Sequence, residues 1–234
     1  MAPTLHTFRI VESSPGTDEY TSLSAWDASE DTNLTSTYLG NSDGQYVEVT
    51  CEDFEDGTTC AINGFTTTST NTILIKAASA HGIAGDYSSA ASYRMTSTGN
   101  PVLKIQDKWV TLRGLVIKRT GNASSSGAIS PAGSATDLVV EDCVFINENE
   151  SSGSSGGIRN RGSSTCSSTW RNCISIGGVN AGNVTAGSSS TWDFDNCTFV
   201  GKDGYGFKGG TGETNFENCI VLGTSGSFSG SIDS

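Results

Sequence analysis

Seven cysteines, two histidines and 25 acidic side chains are the groups with which this 234-residue chain could do chemistry. A zinc site wants closely spaced Cys or His pairs. No C-x-x-C occurs, and His6 and His81 stand far apart, so no metal ligand set is assigned. Cys51 and Cys60 flank an acidic stretch containing Asp56-Gly57, a hairpin signal. On a hairpin the two thiols would face each other, and a disulfide would follow in an oxidising compartment. Asp53, Glu55 and Asp56 form an acidic knot within that stretch, which reads as a calcium site or, more simply, as a charged surface hairpin.

Polysaccharide cleavage asks for paired carboxylates, or for calcium-held carboxylates with an Arg or Lys base. Arg159, Arg161, Asp193, Asp195, Lys202, Asp203 and Lys208 supply such groups. Asp193 and Asp195 share a strand face, but no two acids stand out as a pair on adjacent repeats. No catalytic residue and no cofactor is therefore assigned. Aromatic faces can stack on sugars, and Trp192 and Tyr205 are the candidates for a glycan contact, whereas Trp170 falls at a core position. Gly204 to Gly209 matches G-x-G-x-x-G, but no βαβ unit surrounds it. N-x-S/T triplets at Asn33, Asn122, Asn149, Asn183 and Asn196 fit chance in a chain so rich in these residues.

A repeat must position these groups. Val140-Glu141-Asp142-Cys143-Val144-Phe145 returns as Trp170-Arg171-Asn172-Cys173-Ile174-Ser175. It returns again as Phe194-Asp195-Asn196-Cys197-Thr198-Phe199 and as Phe216-Glu217-Asn218-Cys219-Ile220-Val221. Leu112-Arg113-Gly114-Leu115-Val116-Ile117 has the same shape. From Leu115 the steps are 28, 30, 24 and 22 residues. Asn, Asp and Gly tolerate left-handed backbone angles, so Asp142, Asn172, Asn196 and Asn218 read as corners between strands. Side chains alternate along a strand, which turns Cys143, Cys173, Cys197 and Cys219 into one interior column. There they act as small apolar residues. A second column precedes each copy: Ala128-Ile129, Gly157-Ile158, Asn183-Val184, Gly206-Phe207 and Ser227-Phe228.

These units predict an all-β fold, a right-handed parallel β-helix with a short N-terminal cap that contains one small helix around Ser22–Ser29. Residues 1–45 form the cap and 46–234 the β-helix, with regular coils from about 102 onward. Segment 78–100 reads as a long loop or lateral flap. The formal charge of −12 disfavours nucleic acid and anionic membranes. No apolar run is long enough to span a bilayer, and the N-terminus lacks the regions of a signal peptide.

The order of Tyr20-Thr21-Ser22-Leu23-Ser24-Ala25-Trp26-Asp27-Ala28, then Ile73-Leu74-Ile75-Lys76, then Val110 to Ile117, then the Asn-Cys coils, resembles parallel β-helix proteins of tailed-bacteriophage virions. Both tailspike-like and head-decorating proteins belong to that group. The resemblance covers nearly the whole chain. It implies a virion protein, assembled in the host cytoplasm and exposed on the particle exterior, as a capsid decoration or cement protein or a small tail appendage. It also implies a homotrimer, with other virion proteins such as the major capsid protein as partners. The alternative is a tailspike-type depolymerase or an adhesin for a host surface glycan. The coil phrase itself is shared with pectate-lyase-like enzymes, and polysaccharide-cutting tailspikes are usually much longer. The last visible coil begins near Phe228, which leads us to expect a neighbour covering the end of the stack.

Overall fold

A computed structural model describes residues 5–33, 46–78, 92–122, 127–132, 135–148, 155–160, 165–184, 189–210 and 212–229. His81, Asn149, Arg161 and most of the 78–100 segment lie outside the described residues.

Among the described residues the chain winds through three parallel sheets, one of nine strands and two of seven. The first coil shows the pattern. Tyr46–Cys51 joins the nine-stranded first sheet, Glu55–Asp56 the second and Cys60–Ile62 the third. The next coil repeats it as Ile73–Ala77, Arg94–Ser97 and Leu103–Ile105. Every strand pairing is parallel, from Leu5–Ile10 on Tyr46–Cys51 to Tyr205–Lys208 on Gly226–Ser229. The predicted parallel β-helix is thus present, and its winding begins at Tyr46.

From Leu112 onward the first corner of each coil is built as the repeat predicts. Asp142, Asn172, Asn196 and Asn218 take φ of 55°, 53°, 52° and 52°, and Gly114 takes 70° at the same place. The amides of Gly114, Asp142, Asn172 and Asn196 also bond the coil beyond, as Asn172 N does to Asp195 O at 3.0 Å and Asn196 N to Glu217 O at 3.0 Å. The turn therefore closes without stranding its backbone groups. A second corner, between the second and third sheets, depends on glycine. A Cβ on Gly177 would lie 1.5 Å from Asn180 O, and one on Gly201 would lie 2.1 Å from Tyr205 O. These glycines share a rung position with Asn147 and Gly223.

Inside the coils, like packs on like. Val49, Ile75, Leu112, Val140, Trp170, Phe194 and Phe216 face the interior of the first sheet in one column. The later coils are filled by rings: Trp170 stacks on Trp192 with centroids 6.1 Å apart, and Phe194 on Phe216 at 5.3 Å. Such contacts add about 0.5–1.5 kcal/mol each beyond the apolar area they bury.

The N-terminal segment extends the first sheet. Leu5–Ile10 pairs along its whole length with Tyr46–Cys51, and Glu19–Tyr20 pairs outside it. The expected helix is present and covers Leu23–Asn33, running past Ser29, and Ser22 Oγ accepts from Ala25 N at its start. Leu23 and Trp26 are fully buried, and Trp26 stacks on Phe65 at 5.3 Å.

Three expectations need correction. Asp56-Gly57 makes no hairpin, because Cys51, Asp56 and Cys60 belong to three different sheets of one coil. Both cysteines are free thiols. Segment 78–100 is more than a loop, since Arg94–Ser97 is a strand of the second sheet and Tyr93 is fully buried. In the third sheet, Asn183-Val184 does not align with Gly157-Ile158. The ladder runs Ile129, Ile158, Gly182, Phe207, Phe228. Phe207 explains the gap: its ring occupies the space over Gly182, where a Cβ would meet Phe207 Cδ2 at 2.4 Å.

Candidate functional site

The cysteine column lies in the core. Cys143, Cys173 and Cys197 are buried and Cys219 is half-buried. The Cys197 thiol approaches Trp170 O at 3.5 Å, and that of Cys219 approaches Phe194 O at 3.4 Å, so each touches a carbonyl of the preceding coil. Burial pushes the thiols of Cys143 and Cys166 up to about 12. The hydrogen bond that the Cys197 thiol donates to Cys173 does the same for Cys197, to about 12. These sulfurs are held protonated, so they are poor nucleophiles.

The acidic knot also comes apart. Asp53 is exposed, and Glu55 pairs with Arg94 at 3.5 Å. Asp56 is only 3% exposed, and its carboxylate accepts from Leu23 N (3.1 Å), Thr58 N (2.8 Å), Thr58 Oγ1 (2.7 Å) and Tyr93 OH (2.5 Å). It therefore ties the helix to the first two coils instead of holding a cation. Among the described residues no three His, Cys, Asp or Glu side chains gather as a metal site requires.

Among the described residues two surface features could act. The first is the outer face of the nine-stranded sheet. The residue before each corner forms a column of Arg113, Glu141, Arg171, Asp195 and Glu217. Arg113 and Arg171 clasp Glu141 at 2.7 Å and 3.2 Å, and the hydrogen bond from Arg113 lowers the Glu141 pKa. Further along, Asp195 and Glu217 are rung partners, about 4.8 Å apart by sheet geometry. The repeat had already placed both in one slot, so this pair of acids on adjacent coils was readable and was missed. Asp195 Oδ1 is shielded from solvent and lacks a hydrogen-bond partner. Beside it, Asp193 accepts from Asn215 Nδ2 at 2.8 Å.

Two shallow grooves run along this face. One, of about 470 Å³, holds Asp193, Asp195, Asn215 and Glu217. The other, of about 420 Å³, holds Trp109, Thr111, Asp137, Ser167, Thr169 and Thr191, and shares Asp193 and Thr169 with the first. Trp109 has φ of 55°, an uncommon conformation for a bulky residue.

Of the aromatics singled out from sequence, Trp192 is fully buried on Trp170. A surface glycan cannot reach it. The cause is strand alternation, since Trp192 points to the same side as Phe194. Tyr205 is half-buried in the third sheet, away from the grooves. Arg159 is buried in that sheet, Lys208 is half-buried there, and Lys202 and Asp203 sit exposed in the turn before it.

The second feature is apolar. On the outer face of the second sheet, Val116, Val144, Ile174, Thr198 and Ile220 form one column. Ile146, Ile176, Val200 and Leu222 form the next. Val116, Val144 and Ile146 are covered, but Ile174, Ile176 and Val200 are half-exposed, and Ile220 and Leu222 are 56% and 54% exposed.

No family model and no curated protein matches the chain. Among solved structures it is similar to the pectin methylesterase of Aspergillus niger in deglycosylated form, with 9% identity and a TM-score of 0.56 over 100% of this chain and 93% of that one. It is also similar to the pectin methylesterase PemA of Erwinia chrysanthemi, with 11% identity and a TM-score of 0.51 over 92% of this chain and 66% of that one. A pectin methylesterase in complex with a hexasaccharide matches at 12% identity and a TM-score of 0.52, over 89% of this chain and 66% of that one. At such identities the likeness establishes the fold alone, the right-handed parallel β-helix.

Proposed function

We propose that the chain is a structural protein of a tailed-bacteriophage particle, displayed on the exterior as a rigid β-helical rod that decorates or cements the capsid or forms a small tail appendage. The sequence resemblance supports the virion setting. The observation that carries the structural role is the apolar strip on the second sheet. Its rungs from Ile174 onward carry no charged side chain, in a chain of net charge −12. Two copies therefore repel each other least at this face.

A second copy of this chain is the occupant that fits best. A rotation axis parallel to the coil axis leaves every rung at its own height, so each rung meets its own counterpart. A strip turned toward a threefold axis meets two neighbours at every level. Engaging two neighbours at once supports a trimer over a dimer. The test is the mass of the purified protein in solution, together with co-sedimentation on DNA-emptied phage heads. A trimer that sediments with heads supports the proposal, and a monomer that ignores them overturns it.

The second reading is a carbohydrate-directed protein. It is favoured by Asp195 and Glu217 standing on neighbouring rungs of one open groove, since glycoside hydrolysis calls for a pair of carboxylates. New reducing ends from a host polysaccharide, lost in Asp195→Asn, would support cleavage. Equal activity in that variant would refute it.

A further inference from the structure

We propose that the groove around Trp109 is a binding site for a neutral polysaccharide chain, lying along the outer face of the first sheet. The proposal rests on the carbohydrate-directed reading but not on cleavage, and it is independent of the apolar strip on the second sheet.

Trp109 is the starting point. The chain has four tryptophans, and Trp26, Trp170 and Trp192 are fully buried against other rings. Trp109 is only half-buried, and among the described residues no aromatic ring packs on it. Its backbone is held at φ 55°, at a cost of order 1–3 kcal/mol. Asp137 takes φ 61° on the next coil at the same entry to the first sheet. The two residues therefore rise together at one rim of the groove, one aromatic and one acceptor.

The groove floor repeats at the spacing of the coils. Thr111, Val139, Thr169 and Asp193 stand on successive rungs, about 4.8 Å apart. Ser167 and Thr191 form the adjoining column. Hydroxyls and carboxylates can exchange hydrogen bonds with sugar hydroxyls, while Val139 and the indole face suit the apolar face of a pyranose ring. The volume of about 420 Å³ falls within the range of small-ligand sites.

Charge selects the class of sugar. No lining residue is cationic, and Asp137 and Asp193 are both acids. A uronate or sialylated chain would meet like charges and no positive partner, which costs affinity. The groove therefore fits an uncharged chain.

The experiment is affinity electrophoresis in native gels containing dextran, galactomannan, arabinoxylan or polygalacturonate, paired with acrylamide quenching of tryptophan emission. At least one neutral polymer should retard the protein and protect its quenchable tryptophan, and polygalacturonate should do neither. Trp109→Asn keeps a residue that tolerates the left-handed angle, so it should fold. It should weaken retardation by about tenfold, the loss of one stacking contact. Thr169→Lys should obstruct the groove floor and weaken it too. Retardation by polygalacturonate alone, by none of the polymers, or equally in wild type and Trp109→Asn would overturn the proposal. Retardation without new reducing ends would leave it standing and remove only the cleavage reading.

Discussion

Replacing Asn196 by Val should destabilise the β-helix through the backbone alone. The Asn196 side chain is exposed, so little packing is lost with it. Its φ is 52°, where an L-residue with a Cβ is strained by about 1–2 kcal/mol. Asn is partly excused by its short polar side chain, whereas a β-branched residue is not. The corner hydrogen bond from Asn196 N to Glu217 O, 3.0 Å, opposes relaxation out of that conformation. The expected loss is therefore about 2 kcal/mol, or about 4–8 °C in the unfolding midpoint of a chain this long. Asn196→Gly is the control, since Gly114 already fills the same slot at φ 70°. It should stay within about 1 kcal/mol of wild type, because Gly accepts the angle but loosens the unfolded chain. Thermal and urea unfolding followed by circular dichroism measures both. Equal midpoints for the Val and Gly variants would refute the corner argument.

The glycine corner gives a steeper test: Gly177→Ala drives a Cβ into Asn180 O at 1.5 Å and should abolish folding or cost more than about 3 kcal/mol, while Gly57→Ala, with open space around it, should be neutral in the same unfolding assay. Asp56→Ala strips acceptors from buried Leu23 N and Tyr93 OH and should cost about 2–6 kcal/mol by denaturant titration. Tyr93→Phe, which leaves the other three contacts in place, should cost less. Thiol titration of the native protein at pH 8 should leave Cys143, Cys166 and Cys197 unreacted, and guanidinium should release all seven cysteines. Because those thiols are raised from 9.0 toward about 12 in the folded state, the unfolded chain loses protons first. Stability should be intact below pH 9 and decline as pH rises from there toward about 12.

What could be read in the sequence is what recurs with a physical cause. A left-handed corner accepts few residue types, so Asp142, Asn172, Asn196 and Asn218 announced themselves, and strand alternation then turned the cysteines inward. The same alternation places Trp192 beside Phe194 in the core, and Glu217 in the slot of Asp195, although neither consequence was taken. Other features have no local signal. Asp-Gly occurs in hairpins and in coil turns alike, and only the distant Leu23 amide and Tyr93 hydroxyl make Asp56 a buried anchor. Gly182 sits in an apolar column because Phe207 of the next coil fills its place, a compensation that a single coil cannot reveal. The left-handed Trp109, at a position most residues would avoid, is likewise invisible to pattern. Arg94–Ser97 hides within a Ser/Ala/Gly-rich stretch, where strand propensity is weak and neighbouring coils supply the pairing.

The central claim is that the apolar face of the second sheet joins copies of this chain. Its most direct test is the light-scattering mass of the native protein beside the Ile220→Lys/Leu222→Lys variant. Both side chains are more than half exposed, so the substitutions should leave the fold, followed by circular dichroism, unchanged. The account predicts three times the chain mass for the native protein and a single chain mass for the variant. A native monomer, or a variant that remains a trimer, would contradict it.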